Sequence, residues 1–335
     1  MNKKRLLIIL GLVILSLIIF LLAKKPKTPS PAPAVAIPSY RPFYSTLPRT
    51  VTAPSPAGLD QTKKVTVYSF SPLTIEAVKQ FFAPVVANLG FSAPPTPTTM
   101  NSSPRLIWTN QSAYFDVDLQ TGQFHAKPPT KTFFGDSTVT ESQALELAKN
   151  WLQQYQLLDT AANYEVTYLQ NSGYELEETS TVSSAPFAYR FYFSPEINHL
   201  PIFTASSVKA AIIIDVARQG YLFQINYQLP ALFYSSYLTS PNQLQFQERT
   251  IKNSQQITQA INANQATIVS SKNTAGNFAP SNQTIIKANY QQTKLGYQAS
   301  PVNNQFIPVF QLSGTAALDD GSTVNVTAYL PALAN

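Results

Sequence analysis

"YQLPALFYSSYL" (Tyr227–Leu238) and "AYLPALAN" (Ala328–Asn335) share the words Leu-Pro-Ala-Leu in distant parts of the chain. Each follows a hairpin-like stretch that a second shared phrase introduces, "HLPIF" (His199–Phe203) before the first and "FIPVF" (Phe306–Phe310) before the other. Proline cannot donate to a strand ladder, so Pro230 and Pro331 both read as strand ends. On this reading the chain is α+β and carries a duplicated unit, a helix followed by an antiparallel sheet.

"TESQALELAKNWLQQYQLL" opens the unit that the first phrase closes. Thr140 and Gln143 have capping-box spacing, and Ala144, Leu147, Ala148, Trp151, Leu152 and Tyr155 form an apolar stripe. Strands follow through "YEVTYLQ", "FAYRFYFS" and "LPIFTA" to a hairpin that turns at Ala217 to Gly220. The second copy starts with "NSQQITQAINA", with Asn253 as cap and Ile257, Ala260 and Ile261 on one side. Its last hairpin turns at Asp319-Asp320-Gly321.

Upstream, "SPLTIEAVKQFFAPVVANLG" reads as a helix capped by Ser71, with Pro72 at its first position and Gly90 as its stop. Leu73, Ala77, Phe81, Val85 and Leu89 share a face, while Pro84 objects to a straight helix. A hairpin turning at Gln120-Thr121-Gly122 follows. The expected organisation is an anchor over 1–25, a proline-rich linker over 26–57, an α+β unit over 58–135, and two repeat units over 136–240 and 241–335.

The anchor is the strongest signal. Leu6 to Ala23 runs without a charge between Lys3-Lys4-Arg5 and Lys24-Lys25, long enough at 1.5 Å per residue to span roughly 27 Å. Leu6, Leu7, Ile8, Ile9, Leu10, Val13, Ile14, Leu15, Leu17, Ile18, Ile19, Phe20, Leu21 and Leu22 are its apolar substance. Lysines stand where a signal peptidase needs small residues, which favours an uncleaved signal anchor over a leader. The short basic tail predicts a cytoplasmic N-terminus and an extracytoplasmic globular part at the cell membrane. Nine prolines between Pro26 and Pro56 then predict a semi-rigid spacer.

Charge follows the same division. The first 64 residues hold ten basic residues and one acid, Asp60, so the excess of Lys and Arg belongs to the membrane flank. The rest is mildly acidic and has no electrostatic footprint for nucleic acid. Cysteine is absent, which excludes disulfides and cysteine-based metal or redox chemistry.

The anchor together with "ALELAKNWLQQY" (Ala144–Tyr155), "YRFYFSPEINHLPIF" (Tyr189–Phe203) and "TKLGYQASPVNNQFIPVFQL" (Thr293–Leu312) resembles the YycH/YycI family. "YFDVDLQTGQFHA" (Tyr114–Ala126) resembles a strand-turn-strand of PepSY type. The resemblance implies PepSY/YycI-like units and a non-enzymatic accessory regulator whose partner is a sensor kinase or another envelope protein.

Catalytic, cofactor-binding and metal sites are not predicted. There is no G-x-S-x-G elbow and no phosphate-binding loop. The two histidines, His125 and His199, would both be needed for a histidine-based metal site. Asp116 and Asp118 lie two apart on a strand, as paired carboxylates, a cation site or a solvated face would all have them. For partner binding the candidates are Phe233, Tyr234 and Tyr237, aromatics crowded past a strand end, where the other reading is closure of the core. A homodimer, a wall-acting enzyme and a structural spacer or adhesin stay open as alternatives.

Overall fold

The computed structural model describes residues 42–44, 46–53, 63–71, 74–100, 103–129, 138–159, 162–169, 187–204, 210–241, 244–273, 278–279, 282–300 and 303–334. The expected anchor and the linker up to residue 41 lie outside them. In chain order the elements begin with β1 (Thr50–Thr52), β2 (Lys64–Ser69), α1 (Ile75–Asn88), β3 (Thr96–Met100), β4 (Ser103–Asn110), β5 (Ala113–Asp118) and β6 (Phe124–Lys127). Next come α2 (Glu141–Gln154), β7 (Asn163–Leu169), β8 (Ala188–Ser194), β9 (Glu196–Ile197), β10 (Leu200–Phe203), β11 (Ile212–Ala217), β12 (Tyr221–Tyr227) and α3 (Ala231–Thr239). The last are β13 (Gln245–Thr250), α4 (Ser254–Asn262), β14 (Thr267–Lys272), β15 (Ile285–Ser300), β16 (Gln305–Leu318) and β17 (Thr323–Pro331).

These strands make two large sheets, and the expected succession of helix-plus-sheet repeats is overturned. An eight-stranded antiparallel sheet has the order β3-β4-β5-β6-β12-β11-β8-β7. A nine-stranded sheet is built on the order β13-β2-β16-β15-β10-β9, with β1 beside β15 and β17 between β16 and β14. Seventeen strands against four helices among the described residues make the chain predominantly β. None of those four helices is long and apolar enough to cross a membrane.

The shared phrases show why the repeat fails. Pro230, with φ of −64°, caps the start of α3, so the first Leu-Pro-Ala-Leu opens a helix. Pro331 ends β17 opposite Val309, so the second closes a strand. "HLPIF" becomes the short β10, parallel to β15, whereas "FIPVF" lies inside β16. Pro308 sits where β16 changes neighbour, from β2 at Phe306 to β17 at Val309, so its missing N–H falls in a gap between ladders.

Local signals nevertheless hold. Thr140 and Gln143 form a reciprocal capping box on α2, and Asn253 and Gln256 form another on α4. Gly122, Gly220 and Gly321 take φ of 69°, 82° and 82° at three hairpin turns. Helix α1 differs from expectation. It is capped by Thr74, whose Oγ1 accepts from the Ala77 N–H at 3.1 Å, and it buries Val78, Phe82, Val85 and Val86. Adjacent Phe81 and Phe82 make two faces apolar, and contacts of Phe82 with Phe115 and Phe124 select the second. Pro84 is exposed, so the Gln80 carbonyl that it leaves without a partner faces solvent.

The main core lies between α1, α2 and the inner face of the eight-stranded sheet, and reaches Tyr297 and Phe306 of the other sheet. A second core lies under α4, where Ile257 and Ile261 meet Ile285, Phe310 and Leu312. The β15–β16 hairpin therefore serves both. Tyr44, in the stretch expected to be linker, is buried in the second core and donates its hydroxyl to Ser271 at 2.7 Å.

The β9–β10 turn is made by Asn198 and His199, both left-handed at φ of 50° and 61°. Such a turn favours glycine at its second position. His199→Gly is expected to raise stability by about 0.5–1 kcal/mol, read as a higher urea midpoint at unchanged slope.

Candidate functional site

The aromatic cluster of the first phrase is an interior joint. Phe233 is 2% exposed and Tyr234 is fully buried. Phe233 stacks on Phe70 at 4.7 Å, and Phe70 in turn meets Phe306 edge-on at 5.3 Å. The Tyr234 hydroxyl donates to Asp159 Oδ2 at 3.2 Å, and burial raises its pKa far above the usual tyrosine range. Tyr237 is half-buried; its hydroxyl accepts from the Asn198 N–H at 3.0 Å, and its ring meets Tyr68 at 5.3 Å. Helix α3 thus fastens the nine-stranded sheet to the main core, which leaves Phe233 and Tyr234 no open side for a partner.

The eight-stranded sheet carries polar chemistry on its other face. Side chains alternate along each strand, and since Phe115, Phe124, Ile214, Ile225 and Phe191 pack toward the helices, their neighbours point away. Those neighbours form a diagonal file, Arg105, Asp116, His125, Gln224, Asp215 and Arg190, across six strands from β4 to β8. Arg105 Nε donates to Asp116 Oδ1 at 2.6 Å. At the far end Arg190 grips Asp215 through Nε at 2.7 Å and a terminal nitrogen at 2.6 Å. Asp215 is 1% exposed, and this fork holds the Arg190 pKa above its ordinary value.

Between the two ion pairs sits His125. Gln224 Nε2 lies 2.9 Å from its Nε2, and the Tyr114 hydroxyl lies 3.1 Å from its Nδ1. With the amide donating, Nε2 accepts and the proton of the neutral ring resides on Nδ1. Burial lowers the pKa of His125 below 6.5; Asp116 and Asp215 oppose that shift, and Arg105 adds to it. A His with a depressed folded pKa is charged more readily in the unfolded chain, so its contribution is complete above 6.5 and is lost as pH falls. The urea midpoint of the native protein should therefore fall between pH 7 and 5 more steeply than that of His125→Gln, a comparison in which the other carboxylates cancel.

Beside His125 a depression of about 360 Å³ is lined by Arg105, Asp118, Gln123, Asn226 and Gln228 among others. Asp118 is occupied by its own turn, accepting from the Gln120 and Thr121 N–H groups at 2.8 and 2.9 Å and from Ser103 Oγ at 2.6 Å. The paired carboxylates of the sequence are thus answered by Arg105 and by a turn. His199 lies on the other sheet, in the β9–β10 turn, and no cluster of three or more His, Asp or Glu able to hold a metal occurs among the described residues. The site residues that the sequence reading missed are Arg105, Arg190, Asp215, Gln224 and Asn226. Their signal is present in retrospect: Asp215 interrupts "AAIIIDVA" and Arg190 interrupts "FAYRFYF", charged residues in otherwise apolar strands.

No family model matches the chain, and no curated protein matches it. Among solved structures, an uncharacterized protein from Eubacterium rectale is similar over 83% of this chain and 85% of its own, with 10% identity and a TM-score of 0.44. A likeness that distant carries no function across.

Proposed function

We propose that the chain is a single-pass membrane protein with its N-terminus in the cytoplasm, whose globular part binds and regulates an envelope partner. A sensor kinase is the partner that the YycH/YycI resemblance suggests. The observation that carries the reading is the polar file on the face of the eight-stranded sheet turned away from the helices. Its charges are held rigidly by cross-strand pairs, and Asn226 lines the adjoining depression, where Gln123 is fixed by donating its amide to the Gln228 carbonyl at 2.8 Å. Fixed donors and acceptors on a flat face suit specific recognition, because little side-chain freedom is lost on binding. The apolar run Leu6–Ala23 supports the location.

Photo-crosslinking in intact cells tests this. Probes at Thr109 and Glu165, exposed on that face, should give an adduct with an envelope protein, whereas a probe at the buried Phe233 should give none. A folded, membrane-located protein that yields no adduct from either face position would count decisively against the reading.

A further inference from the structure

Strand β13 is the outermost strand of the nine-stranded sheet and pairs on its inner side with β2. The Ile251 N–H donates to the Lys63 carbonyl at 3.0 Å, which fixes the alternation along the strand. Gln245, Gln247 and Arg249 turn their main-chain groups toward β2, and Phe246 and Glu248 turn theirs outward, where no described strand receives them. Farther along, the same edge is already extended. The Ala334 N–H donates to the Thr250 carbonyl at 3.0 Å and the Lys252 N–H to the Ala332 carbonyl at 2.8 Å, so residues 332–334 lie antiparallel against it.

Two other edges are blunted, β9 by a length of two residues and β3 by Pro97. The edge of β13 has neither device over its six residues. Phe246 stands opposite Tyr68, which is buried in the main core, yet is itself 61% exposed. The apolar face of the sheet thus continues one strand beyond its cover. Glu248, on the same face, forms among the described residues an ion pair with the exposed Lys64 Nζ, at 3.7 Å.

We infer that the outer edge of β13 receives an extended segment of a protein partner, added antiparallel as a further strand. A basic residue of that segment lies opposite Glu248, and an aromatic or β-branched residue two positions later lies opposite Phe246. The main chain supplies affinity, and these two side chains select the sequence. This surface is separate from the polar file, and the inference stands whether or not that file binds a partner.

The probe is an acetylated pentapeptide, KVFVT, fluorescently labelled at its C-terminus and short enough to stop before Thr250, where Ala334 is already bonded; it is titrated against the full-length chain in detergent micelles and followed by anisotropy. Saturable binding is expected. N-methylation at the peptide's Lys and Phe, whose N–H groups meet the edge, should abolish it, whereas N-methylation at the second and fourth residues should not. Glu248→Pro removes a donor that points away from β2, so the fold should survive while binding weakens about tenfold or more. Replacing the peptide's Lys by Glu should weaken binding about two- to fivefold, and Glu248→Lys should reverse that preference. No binding of the parent peptide, or equal binding of both methylated forms, overturns the inference. So does a dimer that Glu248→Pro abolishes, since the occupant is then a second copy of the chain. If Glu248→Pro does not fold, the methylated peptides decide alone.

Discussion

Asp215→Ala should lower the free energy of unfolding by about 3–5 kcal/mol, seen as a large fall in the urea midpoint. The carboxylate is 1% exposed and takes both arms of the Arg190 fork, so its removal leaves a partly buried guanidinium without its carboxylate. Arg190→Met together with Asp215→Leu should recover most of the loss, because the attraction of a buried pair is largely offset by the cost of taking both ions out of water. A double variant as unstable as Asp215→Ala would mean that the pair holds more of the sheet than its own two strands.

Phe233→Ala should cost about 3–5 kcal/mol as well. The ring is fully packed against Phe70, and the cavity left by its removal would open at the joint between the sheets. This outcome separates the two readings that the sequence allows. A contact residue for a partner would lose the adduct and keep its melting temperature; a residue that closes the core loses stability first. Tyr234→Phe should cost less, about 1 kcal/mol, since it removes a single hydrogen bond to Asp159 and keeps the ring.

What can be read in the sequence is what depends on near neighbours. The capping box at Thr140, the cap at Asn253 and the glycine turns at Gly122, Gly220 and Gly321 need only a few adjacent residues, and each is where the pattern places it. Helix α3 cannot be read, because Leu232, Phe233, Tyr234, Tyr237 and Leu238 are spread around its axis and form no single apolar stripe. The candidate site is partly legible: Asp116, Asp118 and His125 stand out, but their partners do not. Arg105 lies on the preceding strand, whereas Gln224 pairs with His125 across 99 positions, and only the β6–β12 junction brings the latter two together. The repeat misleads for a related reason, since four shared residues do not determine whether a helix or a strand end follows Pro230 or Pro331.

The strands that open the described fold are held by residues from its far end. The Tyr297 hydroxyl reaches the Thr66 carbonyl across 231 positions, Gln305 reaches Ser69 across 236, and Tyr44 meets Ser271 across 227. The eight-stranded sheet needs nothing beyond Tyr227 to complete its ladder, so it can assemble while the chain is still being made. Strand β1, and the edge of β2 that faces β16, must wait until the β15–β16 hairpin has emerged, and closing loops of that length is slow. During that interval these early edges have only water to bond to, and the emergence of one hairpin, more than any local signal, times the closing of the nine-stranded sheet.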